Sequence, residues 1–472
     1  MQKSVTLLGR ILFLLVLFLF VFIPLYPKFP LFNVAGTFVA IRLEDLMIGL
    51  TVALWGIYMV LSNQFKTLIK DKLFLAILLF FFIGGVSVFS AIFLTHSVTP
   101  HIGFLHFFRR IEFLMLLPIA ASVVKTKKQF IWILIFLGLT VLTVNGYALG
   151  QQYLDWPVIS TTNSEFSKGL ILGLTPGGRV NSTFAGHYDL AVFLAMAIVI
   201  LAALFFAVKK IIKIPIVILA GLSFLVLMMT TARLSFAALL VGILSLLLLI
   251  KKRKYILLLV VFVAVVLTYP SQLRDRFIST ITVNIFHQGQ RYEGRTDDQK
   301  LRSQLNIPTL AIKTSSNSAS TSTFATASGI ATDITPGEPI DTTQLGVYRS
   351  FQIRLNIEWP RAITALKKNP FLGTGYSSLG IATDNDFLRS LGEVGFLGTA
   401  AFVLVLLEAA KRIISGLKNE NTLIRFFSAG VLSMFIAFIV NGLFIDVFEA
   451  SKVASLFWLI LGLNLAALKL KE

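Results

Sequence analysis

The sequence contains no cysteine, and only 14% of its 472 residues are charged. The lack of cysteine excludes disulfide bonds and every metal site that is built from thiolates. Soluble domains carry about 25% charged residues, so this composition argues against an ordinary soluble protein. Apolar residues take the place of the charges, because 56% of the chain is hydrophobic and 43 residues are phenylalanine. These proportions indicate a membrane protein.

Long apolar runs recur along the chain, as in ILFLLVLFLFVFI at 11–23. A stretch of about 20 apolar residues is long enough to cross a bilayer as a helix. We therefore predict an all-α membrane protein with about twelve transmembrane helices. The predicted spans are 7–24, 44–61, 73–94, 104–124, 129–150, 188–208, 214–231, 234–250, 255–269, 387–410, 424–444 and 451–468.

Acidic residues are scarce, with 23 Asp and Glu against 42 Lys and Arg, and the net charge is +19. A strongly basic chain can indicate nucleic-acid binding, but here the basic residues cluster between apolar runs, as in KTKK (125–128) and KKRK (251–254). The positive-inside rule explains such clusters as cytoplasmic loops. Because each even-numbered span is followed by basic residues, we predict both termini in the cytoplasm, a multi-pass location in the cell (inner or cytoplasmic) membrane, and no nucleic-acid partner.

The loop lengths divide the chain into three parts. Residues 1–269 hold spans one to nine, 270–386 form a large extracytoplasmic loop, and 387–472 hold the last three spans. Loops of that length are usually functional or disordered. The Ser/Thr/Ala-rich segment 313–344 is predicted to be disordered.

The segment 347–368 of the same loop predicts an amphipathic helix. Phe351, Leu355, Trp359 and Ile363 recur every four residues, which places them on one helix face. We expect this face to lie against the outer side of the bundle, and we expect Pro360 to kink or split the helix.

Arg233 is the charged residue whose position most needs an explanation. It lies in MMTTARLSFAALL (228–240), a hairpin between two spans with almost no loop to hold it in water. Two interpretations are open for it. The side chain can extend to lipid headgroups, or its guanidinium can point into a pocket and hold a phosphate or carboxylate.

Arg354 is predicted at the same outer level, on one polar stripe with Glu358 and Arg361. The alternative for this stripe is a solvated Glu–Arg pair. Two outer arginines favour a polyanionic ligand such as a lipid diphosphate, whose leaving-group charge arginine can neutralise. A metal site at Asp384 and Asp386 is an open alternative, but two carboxylates in the DND sequence at 384–386 with no histidine nearby make a weak site, so we predict none.

The stretch NPFLGTGYSSLGIATDNDFLRSLGEVGFLG (369–398) combines a glycine-rich turn with a charged helix start. Its glycines allow close backbone approach. Thr383 or Asp384 is expected to cap the helix that becomes the tenth span.

These motifs occur in an order that resembles the O-antigen ligase/polymerase family. TTAR (230–233) is followed by a long external loop, by R-x4-W from Arg354 to Trp359, by N-P-x-x-G-x-G, and by D-N-x-F-L-x-x-L-x-E-x-G-x-x-G. Upstream, GRVNSTFAGHYDLAVFLA is similar to that family's outer segment. The resemblance extends from about residue 179 to 400.

The resemblance implies a GT-C-like, metal-independent membrane glycosyltransferase without a cofactor. Its donor would be a saccharide on polyprenyl (undecaprenyl) diphosphate, and its acceptor a saccharide, lipid-linked glycan or protein-linked glycan. By the same resemblance Arg233 and Arg354 match the positions that bind the donor diphosphate, and Asp384 and Asn385 the catalytic positions. Further possible substrate-binding residues are Arg179, His187, Arg349, Arg361, Tyr376 and Arg389.

The chain departs from the ligases of that family at one position. The ligases typically have a histidine before the asparagine, where this chain has Asp384. A carboxylate can also act as general base and take the proton from an attacking hydroxyl. We therefore expect a polymerase-like member, and inversion at the anomeric carbon because a direct displacement needs no covalent intermediate.

A transporter is the main alternative from another class, either a flippase for lipid-linked oligosaccharides or a small-anion carrier. Its layout of twelve spans with both termini inside would be the same, but repeat-type transporters show two related halves. This chain shows no internal symmetry, and its large loop separates nine predicted spans from three. That asymmetry favours the enzyme.

Overall fold

The computed structural model describes residues 2–37, 40–158, 172–174, 178–282, 331–332, 350–380 and 382–470. Helices dominate these residues. They are α1 Gln2–Leu25, α2 Leu43–Leu61, α3 Phe65–Ile69, α4 Lys72–Phe93, α5 Pro100–Val123, α6 Lys127–Tyr153, α7 His187–Ala207, α8 Lys210–Thr230, α9 Arg233–Leu249, α10 Lys254–Thr268, α11 Gln272–Thr282, a π-helical turn Arg354–Glu358, α12 Trp359–Lys368, α13 Asp386–Gly416, α14 Thr422–Gly442 and α15 Ser451–Ala467.

The described residues also contain four short strands. Strands β1 (Pro30–Asn33) and β2 (Ala40–Arg42) form an antiparallel pair, and β3 (Leu172–Gly173) lies parallel to β4 (Ala331–Thr332). Apart from this last strand, the segment 313–344, which we predicted to be disordered, lies outside the described residues.

Each of the twelve predicted spans overlaps one helix. Among the described residues, eight helices are long and apolar enough to cross a membrane, and a ninth crossing results if α10 and the following helix, which bend by 101° relative to each other, count as one. Helices α9 and α15 are apolar but only 17 residues long. Helix α5 carries Arg109, Arg110 and Glu112 within its length. The all-α membrane class is confirmed, and the exact number of twelve crossings stays a prediction.

The core of the bundle is built around α15, in which every residue is buried. This helix packs closely on α5, while α14 packs on α7 and α13 on α4. An apolar helix that is enclosed on all sides is the pattern of a core helix. The last three helices therefore pack against the earlier ones, although the large loop separates the two groups in the sequence.

The helix predicted at 347–368 is present from residue 350 onward, but its buried face differs from the predicted one. Leu355 and Ile363 are 38% and 43% exposed, whereas Arg354, Ala362 and Ala365 are buried. The π turn at 354–358 supplies the physical reason, because its wider turn changes the register between the two halves of the helix. Of the two outcomes expected at Pro360, the split is wrong, since the helix continues through residue 360, and the kink stays a prediction.

Two glycines join the turn after α12 to a kink in α13. Gly373 and Gly395 both have positive φ, at 67° and 66°. The backbone of Gly395 interrupts the helix, so the amide N–H groups of Phe396 and Leu397 donate to the carbonyls of Pro370 and Phe371 at 2.8 and 3.2 Å. In the opposite direction the N–H groups of 374 and 375 donate to the carbonyls of 392 and 393. The glycine motifs of this stretch thus hold the start of α13 in place.

Replacing Gly395 by alanine is expected to destabilise the protein. A Cβ at this position would overlap the backbone carbonyl of Phe371, and a positive φ alone costs a non-glycine residue about 1–3 kcal/mol. We expect a thermal unfolding midpoint several degrees lower than that of the unchanged chain, measured in detergent by intrinsic fluorescence.

Gly56→Ala is the matched control, because no atom lies within 4 Å of a Cβ placed there in α2 and alanine favours a helix. It should leave the midpoint unchanged or raise it slightly. Equal midpoints for the two variants would contradict the account of the kink.

Candidate functional site

The DND sequence and the turn between α14 and α15 are joined by hydrogen bonds in which a carboxylate of each segment accepts from backbone N–H groups of the other. Asp446 accepts from the backbone N–H groups of Thr383, Asp384 and Asn385 at 2.7, 3.2 and 3.2 Å. Asp386 in return accepts from the N–H groups of 447 and 448 at 2.9 and 3.3 Å. This reciprocal arrangement fixes the backbone on which the predicted catalytic residues lie.

Asn385 caps α13, which corrects the expectation that Thr383 or Asp384 does so. Its side-chain oxygen accepts from Phe387 and Leu388 N–H at 3.1 and 2.9 Å, and its side-chain nitrogen donates to the carbonyl of Leu443 at 3.1 Å. Both ends of the amide are therefore bonded to the protein.

Arg354 precedes α12 in the sequence and Asp384 follows it, and the two side chains form an ion pair in the structure. The Arg354 Nη2 atom is 2.6 Å from Asp384 Oδ2, and the side chains are 7% and 31% exposed. Asp384 has a left-handed backbone conformation with φ of 49°. Burial raises the pKa of the Asp384 carboxyl, and the neighbouring Arg354 acts in the opposite direction.

Arg233, at the start of α9, lies beside the same helix. Its guanidinium is 5.4 Å from the ring centroid of Phe351, one turn before Arg354, and it donates to Thr280 Oγ1 at 2.8 Å. Arg354, Arg276 and Arg179 are all close enough to act on it electrostatically. We call Arg179, Arg233, Arg276 and Arg354 the arginine cluster.

His187 joins the arginine cluster at the start of α7. Its Nε2 atom is 3.1 Å from Arg179 Nη1, and both Arg179 and Arg276 act on it electrostatically. The structure thus brings together Arg179, His187, Arg233 and Arg354, which the sequence placed on three separate segments.

Glu358 is a second carboxylate at the cluster, one turn after Arg354. Its Oε2 atom is buried, with no hydrogen-bond partner among the described residues. Burial first, and the Asp384 carboxylate second, raise the pKa of Glu358 to about 7, while Arg354 and Arg361 act in the opposite direction and Asp446 in the same one. A carboxyl group with this pKa can exchange a proton near neutral pH.

The remaining predicted site residues have other surroundings. Arg389 is only 4% exposed and pairs with Asp446 at 2.7 Å and Glu393 at 3.3 Å, which indicates a structural role. Arg361 is exposed and donates to the carbonyl of Leu379 at 3.0 Å. Tyr376 is buried against Phe107, with ring centroids 6.1 Å apart. Arg349 lies outside the described residues.

Among the described residues, no group of three His, Asp or Glu side chains is placed to hold a metal ion. The positive charge that faces the site is supplied by arginine side chains. Such a cluster can bind a doubly charged group such as a diphosphate through paired N–H donors.

Two residues of the site, Asp446 and Arg276, were not predicted from the sequence. Asp446 follows a span in NGLFID and has no motif of its own, although a lone acid between two apolar runs is a signal in itself. Arg276 lies on α11, a helix within the segment that we treated as loop. This helix is apolar on one side only, so the many polar residues of 270–282 prevented its prediction as a helix.

Comparison with known proteins gives one family match. Residues 217–403 match the family described as O-antigen ligase. The matched region includes Arg233, Arg276, Arg354, Glu358 and Asp384, and thus most of the arginine cluster. No curated protein sequence matches the chain.

Proposed function

Because residues 217–403 match the family described as O-antigen ligase, we propose that the chain is a membrane glycosyltransferase of the O-antigen ligase/polymerase family. It moves a saccharide from a polyprenyl-diphosphate carrier to an acceptor hydroxyl on the extracytoplasmic side of the cell membrane. The reaction is inverting and metal-independent, on a GT-C-like bundle. The acid in place of the ligases' histidine favours a polymerase-like reaction.

The observation that carries this proposal is the arginine cluster at one end of the bundle. Arg179, Arg276 and Arg354 all lie close enough to Arg233 to act on it electrostatically, and the four residues come from three predicted outer segments. A lone diphosphate in a membrane needs compensating charge at close range, and arginine supplies it in a planar, two-pronged form. A diphosphate held this way leaves more readily, because the charge that develops on it is already neutralised.

The ion pair between Arg354 and Asp384 orients the guanidinium. Asp384 holds it at 2.6 Å. When the diphosphate binds, Arg354 shares its donors between the ligand and this carboxylate. Asn385 and Asp446 position Asp384 through the backbone contacts described above, so they are positioning residues in this scheme.

The transfer itself is a single displacement. The acceptor hydroxyl attacks the anomeric carbon, the new C–O bond forms, and the bond from that carbon to the diphosphate oxygen breaks with its electron pair on the leaving group. Glu358 receives the hydroxyl proton, since its carboxylate is unpaired at Oε2 whereas Asp384 is engaged by Arg354. Asp384, our expectation from the sequence, is the alternative acceptor of this proton.

Purified protein in detergent, incubated with a polyprenyl-diphosphate oligosaccharide and EDTA, tests the function. We expect a longer saccharide, and free polyprenyl diphosphate in the same amount as the new glycosidic bonds. Donor that binds but remains intact after long incubation would contradict the proposal and would favour a flippase or carrier.

A further inference from the structure

The opposite end of the bundle, which the basic loops mark as cytoplasmic, contains a polar cavity. It has a volume of about 360 Å³ and lies between the ends of α2, α5 and α15 and the short helix α3. Its polar lining consists of Gln64, Thr67, Asp71, Ser122, Lys125 and Lys469. No predicted site residue borders it.

The cavity is positively charged, because its acid is already neutralised. Asp71 binds Arg412 with both oxygens, at 2.6 and 2.7 Å, and also accepts from the N–H groups of Leu73 and Phe74 as the cap of α4. Among the described residues no acidic side chain lies within ion-pair distance of Lys125 or Lys469. Since none of the described acids pairs with them, the two lysines bring positive charge to the cavity.

Lys125 is held in position by an aromatic side chain. Its Nζ atom contacts the hydroxyl of Tyr58 and lies 5.1 Å from the centroid of that ring. Neither contact removes the lysine's charge. The ammonium group is therefore oriented but still able to bind an anion.

An apolar slot continues from the cavity toward the middle of the bundle. The two spaces share Leu68, Asp71, Ala121, Ser122 and Lys469 as lining residues. The deeper walls of the slot are apolar, formed by Leu73, Phe74, Ile77, Leu117 and Leu465. A charged compartment that opens into an apolar slot has the shape of an amphiphile.

We infer that this cavity binds an anionic phospholipid of the inner leaflet. Its phosphate lies between Lys125 and Lys469, with Ser122 and Thr67 as further hydrogen-bond partners, and the start of one acyl chain enters the apolar slot. The positive-inside rule explains why lysines lie on this side of the membrane. It does not explain why a cavity lies between them and continues into an apolar slot. This site is separate from the proposed transfer reaction and does not depend on it.

Native mass spectrometry of the full chain in detergent tests the site, with dioleoyl phosphatidylglycerol as the probe. The double variant Lys125→Gln/Lys469→Gln should bind this lipid about tenfold or more weakly, since each basic residue near a headgroup adds substantially to anionic-lipid affinity. Lys66→Gln/Lys128→Gln is the matched control. It removes the same charge from exposed positions of the same side outside the cavity, and it should bind as the unchanged chain does.

A second variant tests the shape of the cavity without changing its charge. Ala121 borders both compartments, so Ala121→Leu should fill the junction and weaken phosphatidylglycerol binding as the lysine variant does. Equal loss in the lysine variant and its control would overturn the proposal, because it would show attraction by net charge alone. Lipid binding that Ala121→Leu leaves intact would overturn it too.

Two further probes identify the ligand chemistry. Phosphatidylcholine should bind much more weakly than phosphatidylglycerol, and inorganic phosphate at millimolar concentration should fail to displace the lipid. If phosphate alone displaces it fully, the site recognises a free anion and the lipid assignment is wrong. Unchanged thermal midpoints of the variants in detergent establish that each comparison concerns folded protein.

Discussion

Replacing Arg354 by lysine is expected to reduce saccharide transfer by about 100-fold or more. Lysine keeps the positive charge but has no planar fork, so it cannot hold Asp384 and a diphosphate oxygen at the same time. Removing one preorganised donor to a developing negative charge costs about 10²–10³-fold in rate. Arg354 is also buried at 6% exposure, where water cannot replace the lost contacts.

The measurement is the rate of polyprenyl diphosphate release at saturating acceptor, over a range of donor concentrations. Arg274→Lys is the matched control, because Arg274 lies on α11 with its guanidinium on the carbonyl of Leu267 at 3.0 Å and outside the arginine cluster. It should retain the rate of the unchanged chain. An Arg354→Lys protein that keeps more than half of this rate would show that the guanidinium does not hold the leaving group.

Replacing Glu358 by glutamine is expected to lower kcat/KM by about 10²–10⁴-fold, the usual contribution of a general base. It should also change the pH dependence. In the unchanged chain the carboxyl has a pKa of about 7, so it is protonated and inactive as a base at low pH, and kcat/KM rises as the pH increases through about 7. The glutamine variant should lack this rise.

The variant Asp384→Asn distinguishes the roles of the two carboxylates, Asp384 and Glu358, as proton acceptors. The Asp384 charge is one cause of the raised pKa of Glu358, so its removal should move the rise of kcat/KM to lower pH and leave the rise itself in place. The opposite pattern, with the rise lost in Asp384→Asn and kept in Glu358→Gln, would assign the proton to Asp384. Rescue by Glu358→Asp with a partly restored rise would support a chemical role over a purely structural one.

Helix positions could be predicted from the sequence because they depend on local composition. Apolar runs of membrane length and the basic clusters between them located a helix at each predicted span. The same local signals identified Arg233, as a charge in a hairpin too short to hold it in water. The polar stripe of the loop helix indicated Arg354, whereas Asp384 was indicated by the family resemblance, and the structure joins the two by an ion pair of 2.6 Å.

Features that depend on contacts across the chain could not be predicted in this way. Asp446 acts on residues that lie about sixty positions earlier, and its role is visible only when the turn after α14 meets the DND sequence. The buried face of the helix at 350–368 was missed because a four-residue repeat assumes regular α geometry, whereas the chain forms a π turn at 354–358. The glycine motifs were noticed, but their partnership across the kink at Gly395 is a tertiary effect.

A structure of the full chain with a non-hydrolysable polyprenyl-diphosphate saccharide, determined by electron cryomicroscopy, would show where the donor diphosphate binds. We expect the diphosphate within hydrogen-bond distance of the guanidinium groups of Arg233 and Arg354, with the anomeric carbon on the side of Glu358 and Asp384. A diphosphate bound elsewhere, for example between Lys125 and Lys469 at the opposite end of the bundle, would contradict this expectation.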